Sequence, residues 1–224
     1  MDQPRRLQAP PLEREILSER VKDRILTWIL TGELAPGSRI VETRVARQLG
    51  MSQAPVREAL RDLATLGFVE VRPYRGARVR RPTKHELTEA IEVRAELEAL
   101  AGRLAATRRS EDCLRELELL YAEMREAADR GNPHDHAVKN TAFHARIVKA
   151  TQNGTLERIW SMLEPFSRTY ITASVPGIDL HWLADRHQAI IDAIRDGDPD
   201  RAAETMRMHA AEAAELIEGV ADEV

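Results

Sequence analysis

The stretch TGELAPGSRIVETRVARQLGMSQAPVREALRDLATLGFVEVRPYRGARV, residues 31–79, decides the fold of the first third of the chain. LAPGSRI reads as a turn followed by a short strand, and VETRVARQLG as a short helix with Val45 and Leu49 inward and Gly50 at its end. In MSQAPVREALRDLATLGF, Ser52 reads as a helix N-cap. Pro55 falls early enough in that helix to be tolerated, Val56, Leu60 and Leu63 share an apolar face, and Gly67 closes it. FVEV alternates like a strand, PYRGA is a turn, and RVRR is the return strand. Upstream, ILSERVKDRILTWILTG places Leu17, Val21, Ile25, Trp28 and Ile29 at helical spacing and ends at Gly32. Helix, short helix, tight turn, helix and hairpin together make a winged helix-turn-helix, expected over residues 12–81.

Pro82 and Thr83 mark a boundary, and beyond them no segment reads as a strand. The spacing predicts about six helices, over 84–107, 110–130, 133–151, 154–174, 180–196 and 199–219. The breaks at Ser110, Gly131-Asn132-Pro133, Asn153-Gly154, Pro176-Gly177 and Gly197-Asp198-Pro199 all carry turn chemistry. Alanine and leucine dominate the apolar faces, which suits close packing in an antiparallel bundle over 84–219. The fold class is therefore mostly α.

A formal net charge of -4 conceals an asymmetry. Residues 1–82 hold 16 Lys/Arg against 10 Asp/Glu, whereas 83–224 hold 17 against 27. The basic part suits a polyanion and the acidic part does not. Aromatic residues make up only 4% of the chain, too few for a stacking platform on single strands, while duplex reading by a helix needs none. The lone Cys113 excludes an internal disulfide and a thiolate metal cluster, and points to a reducing compartment. No apolar run is long enough to span a membrane, and MDQPRRLQAPPLERE lacks the apolar core of a signal peptide and reads as a disordered lead-in. A cytoplasmic location is expected.

On the helix after Ser52, Gln53, Arg57 and Arg61 are spaced by four and oppose the apolar face. Arg57 can bond a guanine edge in bidentate fashion, and Gln53 can read adenine or hold a phosphate. Arg47 lies on the preceding helix, near where the DNA backbone would pass. The hairpin tip carries Arg72, Tyr74, Arg75, Gly76 and Arg78, suited to the minor groove or to phosphates. The competing reading of Arg57 and Arg61 is a solvated face ion-paired to Glu58 and Asp62.

Residues 31–79 resemble the DNA-binding pattern of the GntR family of bacterial regulators, above all in GELAPG, RQLG and APVREAL…L…GFV. The resemblance implies a pair of such domains on a short palindromic operator. It also implies a base-reading arginine at Arg57 and a wing glycine, Gly76, close to the minor groove. Gln53 departs from the family's usual arginine, so one usual operator contact is lost.

All seven histidines lie beyond residue 84. Asn140 and His144 point the same way from one helix, and His187 and His209 come from two more. Three imidazoles and an oxygen ligand can make a site for zinc, nickel or another divalent transition metal. Equally, each of the three can be a satisfied core histidine. His85, His134, His136 and His181 read as surface or capping residues. Residues 84–219 resemble the FCD ligand-binding domain of the FadR subfamily, with the helix count pointing to its VanR-like branch. That resemblance implies metal ligands at His144, His187 and His209. Asn140 stands where the metal-binding members have aspartate and brings no charge. It also implies that Arg94, followed by Glu98 one turn later, helps hold a carboxylate effector, with Asn140 beside it. The bland alternative is a helix-surface pair between Arg94 and Glu98.

The expected function is a ligand-responsive transcriptional regulator, a repressor released by a small organic acid, acting as a homodimer on duplex DNA. Two rivals remain open at this point. A three-histidine site with a free position could activate water for hydrolysis, although Asn140 is a poor base and no catalytic motif places Glu157 or Glu164. Alternatively, the helical domain is purely structural.

Overall fold

The computed structural model describes residues 12–30, 33–72, 76–81, 83–163 and 177–218. The chain divides into two compact units, Met1–Arg81 and Pro82–Val224.

In the first unit, α1 (Leu12–Leu30) precedes β1 (Arg39–Ile40), α2 (Glu42–Gln48), α3 (Gln53–Thr65) and a hairpin of β2 (Val69–Arg72) and β3 (Gly76–Val79). The sheet order is β1-β3-β2, all antiparallel, with Arg39 opposite Arg78 and Val71 opposite Ala77. Val21 and Ile25 of α1, Val45 and Ala46 of α2, and Val56, Leu60 and Leu63 of α3 close on Ile40, Val69, Ala77 and Val79 of the sheet. This is the expected winged helix-turn-helix. Two details differ from the sequence reading. Leu17 is 40% exposed and stands outside the core. Helix α1 begins at Leu12, within the stretch read as a lead-in, while residues 1–11, Gly32, Tyr74 and Arg75 lie outside the described residues.

The second unit is all helical among the described residues: α4 (Lys84–Arg108), α5 (Glu111–Asp129), α6 (Pro133–Ala150), α7 (Gly154–Ser161), α8 (Leu180–Asp185), α9 (Gln188–Asp196) and α10 (Pro199–Glu218). Local chemistry sets the helix starts. Thr83 and Glu86 form a reciprocal capping box on α4. Ser110, Asn132, Asn153 and Asp179 accept first-turn N–H groups of α5, α6, α7 and α8. The helix expected over 180–196 is interrupted at Arg186 and His187, where α8 ends and α9 begins. The expected helix 154–174 is described only as far as Ser161 in helical form, and residues 164–176 lie outside the described ones.

The core joins Ala101, Ala105 and Ala106 of α4 to Leu117 and Met124 of α5, Phe143 and Ile147 of α6, Ile190, Ile191 and Ile194 of α9, and Ala202 and Met206 of α10. Helices α4 and α10 pack closely because small residues line the contact. A Cβ on Gly102 would fall 2.8 Å from the Ala202 carbonyl oxygen and 2.8 Å from Met206 Cγ. Gly102→Ala is therefore expected to force the two helices apart. The loss should be about 1–3 kcal/mol, outweighing alanine's better helix propensity. Chemical denaturation of the full chain, with Ala101→Gly as the opposite control, measures it.

Candidate metal centre and nucleic-acid interface

On α3, Gln53, Arg57 and Arg61 are all exposed and lie opposite buried Val56, Leu60 and Leu63. Arg57 does not pair with Glu58 or Asp62. Its Nε and Nη2 donate to one oxygen of Glu42, at 3.2 and 3.1 Å, across the turn from α2. Arg47 is exposed on α2. Ser52 occupies the N-cap position, but its hydroxyl makes no capping hydrogen bond. Pro55, three residues on, has no N–H to offer it. At the wing, Gly76 has φ +79, and Arg39 passes 3.7 Å from where a Cβ would sit. Arg78 is exposed and donates to the Gly37 carbonyl at 3.2 Å. Arg72 pairs with Glu70 at 2.8 Å.

In the helical unit, His144 of α6, His187 at the α8–α9 break and His209 of α10 converge. One nitrogen from each lies within 4.8 Å of those of the other two, and all three residues are buried. Ring centroids are 5.5 Å apart for His144 and His187, 5.1 Å for His144 and His209, and 4.5 Å for His187 and His209. Phe143 stands edge-on to His187 at 4.9 Å and to His144 at 5.7 Å.

Hydrogen bonding orients the His187 ring. His187 Nδ1 lies 3.0 Å from the Ala184 carbonyl oxygen, which only accepts, so Nδ1 donates and Nε2 keeps its lone pair. That lone pair meets Asn140 Oδ1 at 3.1 Å. Two acceptors face each other there; a shared cation relieves the contact, as does a turned amide in its absence. Neither nitrogen of His144, nor Nδ1 of His209, has a hydrogen-bond partner although all are buried. Burial holds the pKa of His144 below the usual imidazole range, and Arg94 and Arg186 push the same way against Glu98. His187 and His209 lie well below that range, again through burial first and neighbouring rings second. The imidazoles are neutral at pH 7, in the form that binds metal. The unpartnered nitrogens, their convergence and the nearby amide oxygen fit a divalent transition metal.

Glu98 organises the wall beside them. It is 1% exposed and accepts the Trp160 indole N–H at 3.0 Å. It pairs with Arg94 Nε at 3.2 Å and faces His144 Nδ1 at 3.4 Å. Burial opposes its charge, yet Arg94, His144 and Trp160 hold its carboxyl below the usual carboxylate range. The Arg94–Glu98 pair is thus buried, not a helix-surface pair. The terminal guanidinium nitrogens of Arg94 carry no hydrogen bond among the described residues.

Arg186 and His136 are functional candidates the sequence reading passed over. Arg186 donates to Glu212 at 2.6 Å and to the His209 carbonyl, and stacks 4.8 Å from the Trp182 ring centroid. His136, expected at the surface, is 1% exposed. The missed signal was its spacing: His136, Asn140 and His144 fall four apart along one face of α6. His85 and His181 do lie outside the core, paired with Glu89 and Asp129.

The chain matches the family model "Bacterial regulatory proteins, gntR family" over residues 17–79 and the FCD domain over 89–212. It is 37% identical over 200 residues to the probable D-xylose utilization operon transcriptional repressor of Paenarthrobacter nicotinovorans, covering 89% of this chain and 88% of that protein. It is 27% identical to the HTH-type transcriptional regulator McbR of Escherichia coli, covering 82% and 85%. The solved structure of E. coli McbR/YncC superposes with a TM-score of 0.75 at 23% identity, covering 90% of this chain and 97% of that one. No described helix is long and apolar enough to cross a membrane.

Burial pushes the His136 pKa down to about 4. An unfolded imidazole titrates near 6.5, so the folded chain binds fewer protons between these values. Stability from His136 is complete above about pH 6.5 and is lost as pH falls towards 4, on the order of 3 kcal/mol. Urea titrations of metal-free protein should show this loss, and His136→Leu should flatten it.

Proposed function

Because the chain belongs to the GntR family of bacterial regulatory proteins and carries an FCD domain, we propose that it is a cytoplasmic, homodimeric repressor whose hold on a palindromic operator is released by a small organic acid. The family is one of DNA-binding regulators, not enzymes, so the three-histidine site serves sensing. The observation that carries the sensing role is the buried convergence of His144, His187 and His209 beside the Arg94–Glu98 pair. A purely structural domain gains nothing from unpartnered imidazole nitrogens, whose desolvation costs about 1–3 kcal/mol each.

His144, His187 and His209 would hold a divalent transition metal, zinc or nickel, with Asn140 adding its carbonyl oxygen. Bound there, such an ion supplies a Lewis-acidic pole for one oxygen of a carboxylate. The remaining recognition falls to the side chains. Arg94 offers its unbonded guanidinium end to the acid, and Glu98 keeps that guanidinium and the His144 ring in place. The D-xylose operon of the 37% identical relative favours an acid derived from a sugar. The FCD domain supports the FadR subfamily; the VanR-like branch rests on a count of six helices, which the break at Arg186 and His187 raises to seven described ones.

The DNA-reading set is Arg47, Ser52, Gln53, Arg57, Arg61, Arg75, Gly76 and Arg78. Arg57 reads a base once it leaves Glu42, Gln53 and Arg61 flank it, and Arg47 and the free Ser52 hydroxyl hold phosphates. Arg75, Gly76 and Arg78 carry the wing contacts. Val93 and Leu100, exposed two turns apart on α4, offer an apolar strip for the second copy. The effector shifts the operator equilibrium only through unequal affinity for the two dimer arrangements.

Metal analysis comes first. Wild-type protein purified without chelator should carry about one zinc or nickel ion per chain, and His144→Ala should carry almost none. Wild type that stays empty after zinc, nickel and manganese are added back ends the metal reading. On the duplex that wild type selects from a random pool, Arg57→Ala should weaken binding by about 1–3 kcal/mol and relax preference at one base. Arg47→Ala should instead weaken all sequences alike and lower the salt slope by about one.

A further inference from the structure

On the solvent side of the winged-domain sheet, two arginines face each other. Arg39 of β1 and Arg78 of β3 are register partners in an antiparallel pair, and both are exposed. Side chains opposite one another on neighbouring strands start about 5 Å apart, and like charges so placed repel. The third strand brings an acid to this row, Glu70, the register partner of Arg78 on its other side. Glu70 is already engaged: Arg72 Nε and Nη2 both donate to its Oε2, at 3.1 and 2.8 Å. Arg78 turns one nitrogen, Nη1, to the Gly37 carbonyl at 3.2 Å. The Arg39 guanidinium has no hydrogen bond or ion pair among the described residues.

The hairpin sets where that guanidinium lies. Gly76 stands two residues before Arg78, at the start of β3 and on the same side of the sheet. It has no Cβ, and Arg39 Nη2 and Nε lie 3.7 and 3.8 Å from where one would be. The Arg39 side chain therefore runs along the sheet towards the hairpin turn and carries its charge to the wing. Two guanidiniums side by side, with the neighbouring carboxylate held by a third, make a patch of positive potential fitted to an anion. Nothing within the described sheet supplies that anion.

We propose that Arg39 is a DNA contact, and that together with Arg78 it clasps one backbone phosphate beside the wing. A phosphate offers oxygens to both guanidiniums and cancels their repulsion, which the neutral edge of a base does not. Arg39 accordingly adds affinity for every duplex and reads no base. This rests on the DNA-reading wing proposed above and adds to it a residue of β1, a strand that supplies none of the contacts named so far.

The test uses full-length protein, the duplex that wild type selects from a random pool and an unrelated duplex, with binding read by fluorescence anisotropy over a range of salt. Arg39→Ala should bind both duplexes about tenfold more weakly at low salt, and the gap should close as salt rises. Arg39→Ala combined with Arg78→Ala should lose less than the product of the two single losses, because both side chains hold one phosphate. Stability should move the other way. Arg39→Ala should melt at the wild-type temperature or above, and Arg39→Glu, which gives Arg78 an opposite charge, should melt higher still while binding DNA least. Arg39→Ala that binds like wild type, a loss confined to the selected duplex, or single losses that multiply in the double variant overturns the clasp and leaves the rest of the DNA-reading set standing. Melting temperatures that fall with both Arg39→Ala and Arg39→Glu make Arg39 a structural residue and overturn it as well. Wild type that binds neither duplex overturns the clasp and the DNA-reading set together.

Discussion

A carboxylate almost wholly removed from water must be surrounded by donors, and Glu98 binds the helical domain together on that account. Arg94 reaches it along α4, Trp160 donates to it from α7, and His144 faces it from α6. Removing Arg94 leaves the carboxylate stranded in the core, which costs far more than a surface pair returns. The orientation of Arg94 follows from this one group, whose second oxygen faces His144 Nδ1 at 3.4 Å without a hydrogen bond. The site is built around a fixed negative charge, and its remaining donors and lone pairs point elsewhere.

The first domain shows a similar division between fixed and available groups. Its core is a short list of aliphatic side chains, and the helix it positions shows Gln53, Arg57 and Arg61 to solvent. Pro55 pre-sets the first turn of that helix and removes one of the N–H groups that Ser52 could cap, and the Ser52 hydroxyl makes no capping bond. The Glu42 carboxylate occupies Arg57 in the absence of another acceptor.

Much of this was legible in the sequence because it is encoded locally. Glycine after helices, Ser110, Asn132 and Asn153 before them, and alternation across 69–79 are short-range signals, and the winged domain and the helical bundle follow from them. The three convergent histidines were legible through the family's pattern. What resisted reading depends on contacts between distant segments. The bond from Trp160 to Glu98 joins residues 62 apart. His136 is buried because other helices cover its face, which histidine's amphipathic character does not reveal. The break at Arg186 and His187 contains neither glycine nor proline, so nothing local announced it. Leu17 carries the right spacing for the core but stands exposed, whereas Val21 and Ile25 on the same helix are buried.

Asn140 contributes an oxygen and no charge. Around it, the guanidiniums of Arg94 and Arg186 and the carboxylates of Glu98 and Glu212 cancel, and the imidazoles are neutral. An aspartate in that position would hold a dication more tightly and would also neutralise half of it. The amide gives up grip on the cation and leaves its whole field to act on whatever anion arrives next. On the proposed reading the two guests would be coupled: each would raise the affinity of the other, and most when the first is held least firmly by charge. A chain built this way would respond to the joint supply of ion and acid, its threshold for one set by the concentration of the other.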